Sequence, residues 1–147
     1  MPYRTKEEKG EFVVSCDGLK DRDAFVDAAR GAFSLLYDIE ASRGSNERVK
    51  VVVEAKSAEE LLAQWLSELI ERQVIYDIVY GDFSIVSIQK ISPTHYLLTG
   101  AARGEMYDRK KHTFPRPGLE VKKKGISCSA EGKKSYRCEF RVRKLES

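Results

Sequence analysis

The chain has 147 residues, 41% of them hydrophobic and 33% charged, with a formal net charge of +3. That length suits one domain over residues 1–147, and a domain of this size buries about two-thirds of its unfolded surface. No apolar run approaches the roughly 20 residues that span a bilayer. The N-terminal stretch MPYRTKEEKGE is charged and lacks the apolar centre of a secretory signal, so the expected compartment is the cytoplasm.

Residues 1–10 read as loose, and Glu11 to Cys16 read as a short strand with Phe12, Val14 and Cys16 on one face. Asp17-Gly18 turns the chain into Asp21 to Asp38, one amphipathic helix. Its apolar stripe is Phe25, Ala28, Ala29, Ala32, Phe33 and Leu36, and Asp21, Arg22 and Asp23 open it. Asp38 would end that helix, where a carboxylate opposes the helix dipole. The polar loop SRGSNE leads to a strand from Arg48 to Ala55, with Val49, Val51 and Val53 on one side. Ser57-Ala58-Glu59-Glu60 is a capping box, so a second helix starts there and presents Leu62, Trp65, Leu66, Leu69 and Ile70 to the core.

Val74 to Tyr80 is ambiguous between helix end and loop. Phe83–Ile91 and His95–Met106 form a hairpin around Ser92-Pro93-Thr94. Residues 107–118 are a basic loop broken by prolines, and Leu119–Ser129 and Ser135–Leu145 are the last strands. In the last one Tyr136, Cys138, Phe140 and Val142 alternate with Arg137, Glu139, Arg141 and Arg143, giving one core face and one solvent face. The fold class is therefore α+β: a two-layer sandwich of a mainly antiparallel sheet with two helices on one face.

Charge is unevenly spread. Residues 1–102 carry 12 basic and 17 acidic side chains, net −5; residues 103–147 carry 14 and 6, net +8. A basic third suits a phosphate-rich or acidic partner, or is simply solvated surface. Arg109-Lys110-Lys111 and Lys122-Lys123-Lys124 are its densest runs, with little aromatic interleaving for base stacking beyond Tyr107 and Phe114. Cys16, Cys128 and Cys138 are odd in number and lack CxxC spacing, which points to reduced, buried thiols. The two histidines stand apart: His95 opens a strand, His112 sits in the basic loop, and a Cys/His nucleophile pair stays open. There is no glycine-rich phosphate loop, GxSxG or HExxH. Glu7, Glu8, Glu11, Asp38 and Glu146 are ordinary surface carboxylates if apart; gathered in space they would suit a hard cation such as Ca²⁺, which takes six to eight oxygens.

Three blocks in order resemble the archease family over nearly the whole chain. The family's E-x-F-x-N-A-A-x-x-x-F-x-x-x-x-D appears as Asp23, Phe25, Asp27, Ala28, Ala29, Phe33 and Asp38. Its E-x-L-L-x-x-W-L-x-E-L is matched by Leu61, Leu62, Trp65, Leu66, Glu68 and Leu69, and its G-E-x-x-D-x-x-x-H by Gly104, Glu105, Asp108 and His112. The chain departs where archeases carry D-H-T-A-D: an ungapped count back from Phe25 puts Glu7-Glu8-Lys9-Gly10-Glu11 there. It also ends Leu145-Glu146-Ser147, with Glu146 in place of an aspartate.

The resemblance implies an SHS2 module elaborated into a two-layer sandwich, and an accessory role rather than a catalytic one. Archeases assist the tRNA-splicing RNA ligase by promoting guanylylation and multiple turnover, and are linked to a tRNA methyltransferase as a chaperone-like partner. By the same resemblance, a divalent metal, Ca²⁺ foremost, would be held by Glu7 or Glu11 with Asp38, Glu146 and the Ser147 carboxylate. Glu105, Asp108, His112, Lys122, Lys123 and Lys124 would contact the partner or RNA.

Overall fold

The computed structural model describes residues 3–42, 47–108, 110 and 118–145. The α+β class holds, and its strands are antiparallel throughout the pairings described. They divide into two sheets rather than one. In the first, β1 (Tyr3–Glu8), β2 (Glu11–Gly18), β8 (Tyr136–Lys144) and β6 (Leu119–Val121) lie in that order, and β7 (Ser127–Ala130) also pairs with β8. In the second, β3 (Glu47–Ala55), β5 (His95–Met106) and β4 (Ile78–Ser92) lie side by side. Helix α1 (Asp21–Phe33) lies on the first sheet and reaches β4. Helix α2 (Ala58–Tyr76) lies on the second and reaches β6 and β7. Each helix thus bridges the two sheets, and one core is shared.

Sequence explains most of these elements. Ser57 caps α2: its Oγ accepts from the Glu60 N–H at 3.1 Å, and Glu60 Oε2 accepts from the Lys56 N–H at 3.4 Å. Asp77 ends it in the left-handed conformation, its N–H bonding the Gln73 carbonyl. Trp65 is fully buried, and its Nε1–H donates to the Phe25 carbonyl at 3.0 Å, tying the second helix to the first. Phe33, Tyr80 and Phe83 meet with centroids 5.2–5.5 Å apart, which joins α1 to β4.

Three boundaries depart clearly from expectation. Residues 3–8 form β1 instead of loose chain, because Lys9 and Gly10 both take positive φ (53° and 82°) and close a two-residue hairpin of the primed type. Helix α1 stops at Phe33, short of Asp38. Tyr37 is drawn into the core there, its hydroxyl accepting from the Tyr80 N–H at 2.9 Å and facing the Gln73 amide at 3.4 Å. Asp38 then precedes a short 3-10 turn, Ile39–Ser42, and its Oδ1 accepts from the Glu40 N–H at 3.1 Å. Its carboxylate sits at the start of a helical turn, where it is favourable, and the expected dipole conflict disappears. Finally, Leu119–Ser129 is two strands, not one. Lys122 to Ile126 separate them, with Gly125 at φ 80°.

Candidate functional site

The Lys9-Gly10 hairpin carries the acidic stretch. Its register sets Glu7 opposite Phe12 and Glu8 opposite Glu11, so Glu7 leaves one face of the sheet while Glu8 and Glu11 leave the other. On the outer face the acids meet the basic C-terminal third. Glu11 Oε2 is 3.5 Å from Lys122 Nζ, and Glu8 Oε1 is 3.4 Å from Arg141 Nη2. Lys122 also faces Glu120 at 3.7 Å, and Arg143 reaches the other Glu120 oxygen at 3.2 Å. Farther along, Arg137 Nε donates to Asp17 Oδ1 at 2.8 Å and lies 3.8 Å from Glu131. Much of the positive charge of β8 is therefore answered by carboxylates from the N-terminal strands and the β6 and β7 region. Each such pair is at least partly exposed, so solvent screens it and it holds its partners weakly.

The acids expected to hold a cation are only partly on view, since Glu146 and Ser147 lie outside the described residues. Of the rest, Glu7 and Glu11 point away from each other, an ammonium already stands beside Glu11, and Asp38 is turned to its own backbone. Among the described residues no group of three or more His, Cys, Asp or Glu is placed to hold a metal ion. As placed, Glu7, Glu11 and Asp38 do not converge on one point.

The G-E-x-x-D block lies at the end of β5. Gly104 faces β4 so closely that a Cβ would run into the Val79 backbone and come within 2.7 Å of Ile78 Cγ2. Glycine there lets β4 and β5 approach. Glu105 pairs in register with Val79. The Tyr107 N–H donates to the Asp77 carbonyl at 2.7 Å, fastening the exit of β5 to the α2 C-terminus. Asp108 Oδ1 accepts from the Lys110 N–H at 2.9 Å in a tight turn. His112 lies outside the described residues. Lys123 and Lys124 are exposed, and Lys123 lines a groove of about 380 Å³ with Glu59 and Glu60 of the first turn of α2.

His95 opens β5, with Nε2 3.7 Å from Glu54 Oε2. Cys16 and Cys128 each pair in register with Cys138, on the sheet that His95 is not part of. Burial pushes the Cys16 thiol up, and a hydrogen bond with Cys128, followed by burial, pushes Cys138 up, so both are held as inert thiols. The paired Glu8–Arg141 and Asp17–Arg137 contacts escaped sequence reasoning, because partners 133 and 120 residues apart leave no local pattern. Only the alternating arginines of β8 signalled a charged face.

The family model described as the Archease protein family (MTH1598/TM1083) matches residues 3–130. The chain belongs to the archease family. The protein archease of Methanopyrus kandleri is 30% identical over 114 residues, covering 78% of this chain and 79% of that one. The archease of Methanosarcina mazei is 30% identical over 112 residues, covering 76% and 75%. A solution structure, protein 1598 of Methanobacterium thermoautotrophicum, superposes with a TM-score of 0.73 at 20% identity, over 98% of this chain and 99% of that one; it shares the fold. Within this archease the three blocks meet physically. Phe25 of the first accepts from Trp65 of the second, and Tyr107 of the third is bonded to the cap of the same helix. No described helix is long and apolar enough to cross a membrane.

Proposed function

We propose that this archease is an accessory of the tRNA-splicing RNA ligase, promoting its guanylylation and its multiple turnover. Family membership over residues 3–130 carries the reading. The acidic hairpin supports a means: Glu8 and Glu11 are held by half-exposed pairs with Arg141 and Lys122, contacts weak enough to be exchanged for the cations of a partner. Acidic side chains delivered to the ligase would order its metals or its nucleotide-binding lysine. The test is ligation of tRNA exon halves by the cognate ligase, with and without stoichiometric archease. The expected result is faster guanylylation and more turnovers per ligase. Unchanged rates would remove this reading. Unchanged ligation together with co-purification of a tRNA methyltransferase would move the role to that enzyme.

A direct tRNA-binding role for the basic third is the weaker reading, because Arg137, Arg141, Arg143 and Lys122 each face a carboxylate. It requires tRNA binding by the protein alone at about 50 mM salt, weakening steeply as salt rises.

A further inference from the structure

Strand β3 is the edge of the three-stranded sheet: β5 pairs along one side, and no described strand pairs along the other. Long bare edges are usually blunted by proline, a bulge, an inward-pointing charge or charged side chains along the edge, lysine above all. β3 has no proline, bulge or inward-pointing charge; its charges, Arg48, Lys50 and Glu54, stand on the outer face and admit only a partner that answers them. Its register with β5 runs unbroken from Glu47 opposite Gly104 to Ala55 opposite Tyr96, whereas the pairing of β4 with β5 is interrupted three times. Val49, Val51 and Ala55 are buried on the inner face, and Arg48, Lys50, Val52 and Glu54 are exposed on the outer one. Val52 is 55% exposed although it is apolar.

The charge order along this edge selects its occupant. If β3 meets an antiparallel copy of itself with Val51 on the two-fold axis, Arg48 falls opposite Glu54 of the second copy, and Glu54 opposite its Arg48. Lys50 falls opposite Val52, and the valines at 49 and 53 meet on the inner face. All pairs join residues of the same face, so the inner and outer surfaces of both sheets continue across the junction. Moving the axis to residue 50 sets Lys50 against itself; moving it to residue 52 sets Lys50 against Glu54 but also Arg48 against Lys56. One register therefore matches opposite charges and avoids like ones directly opposite. Glu54 is placed to take part: its side chain is 65% exposed, and its ion pair with His95 is long at 3.7 Å.

We infer that two copies of this chain associate through β3, forming a continuous six-stranded sheet around a two-fold axis at Val51. The contact is isologous and closes on itself, so it yields a dimer and not a fibre.

Sedimentation equilibrium under reducing conditions over a concentration series tests this with four proteins: wild type, Arg48→Glu, Glu54→Arg and the double variant. The monomer mass is 16.7 kDa, and the wild type should approach twice that value as concentration rises. Each single variant replaces two attractive pairs with two repulsive ones and should weaken association roughly tenfold. The double variant restores opposite charges and should recover association. Circular dichroism confirms that all four fold. A wild type that stays at the monomer mass overturns the inference. So does a dimer that both single variants leave intact, or one that the double variant fails to restore.

Discussion

Asp27 sets burial against charge. It lies on α1 beside the fully buried Ala28 and Ala29, and burial raises its carboxyl above the usual value. Arg30 pulls in the other direction, and Asp23 adds to the rise. A carboxyl that binds its proton more tightly folded than unfolded favours the fold only below its titration range. That contribution is lost as pH rises from the unfolded value through the folded one. Asp27→Asn should therefore raise the melting temperature at pH 7 and leave it nearly unchanged at about pH 3, where the wild-type carboxyl is protonated in both states. Thermal melts at the two pH values check this. Equal shifts at both would assign the effect to packing instead of charge.

Gly104 shows how an element depends on one position. Strands β4 and β5 close together where a Cβ would meet the Val79 backbone, and β4 carries a register shift between Tyr80 and Asp82 just there. Gly104→Ala should cost about 1–3 kcal/mol in urea unfolding, since the obstacle is main chain and cannot swing aside. An unchanged midpoint would mean that the β4 bulge absorbs the methyl group. The elements that sequence located well are those with local signals. Ser57 and Glu60 bracket the start of α2, and the Ser92-Pro93-Thr94 turn marks the start of β5 at His95. The end of α1 was illegible because its cause, the bond from the Tyr80 N–H to Tyr37, spans 43 residues. Strand β1 was hidden by Lys9, which shows no glycine-like tolerance for the left-handed region it occupies. The acidic site was half legible. The carboxylates could be enumerated, but their division between two faces follows from that unforeseen hairpin.

On the scale of the molecule, β8 is the strand on which the first sheet depends. It pairs with β2 on one side and with β6 and β7 on the other, and Cys138, Phe140 and Val142 are fully buried. A chain ending at Ala130 would leave β2, β6 and β7 without their shared neighbour. Its melt should lose the single cooperative transition expected of a domain this size, while residues 47–106 retain local helix and hairpin structure. Circular dichroism melts of the full and shortened chains check this. A sharp transition retained by the shortened chain would show that the second sheet and α2 stabilise the domain alone.

The same placement gives folding an order in time. The second sheet and α2 draw on one continuous run, residues 47–106, so they can assemble as soon as that run has left the ribosome. The β1–β2 hairpin is made first and finished last. Its inner edge waits for partners more than a hundred residues downstream, with Val13 meeting Arg141 and Cys16 meeting Cys138. Closing so long a loop is slow, and until it closes an apolar strand edge stays open to other nascent chains. That hairpin carries Lys6, Glu7, Glu8, Lys9 and Glu11, charges of the kind that discourage an open edge from pairing with another chain.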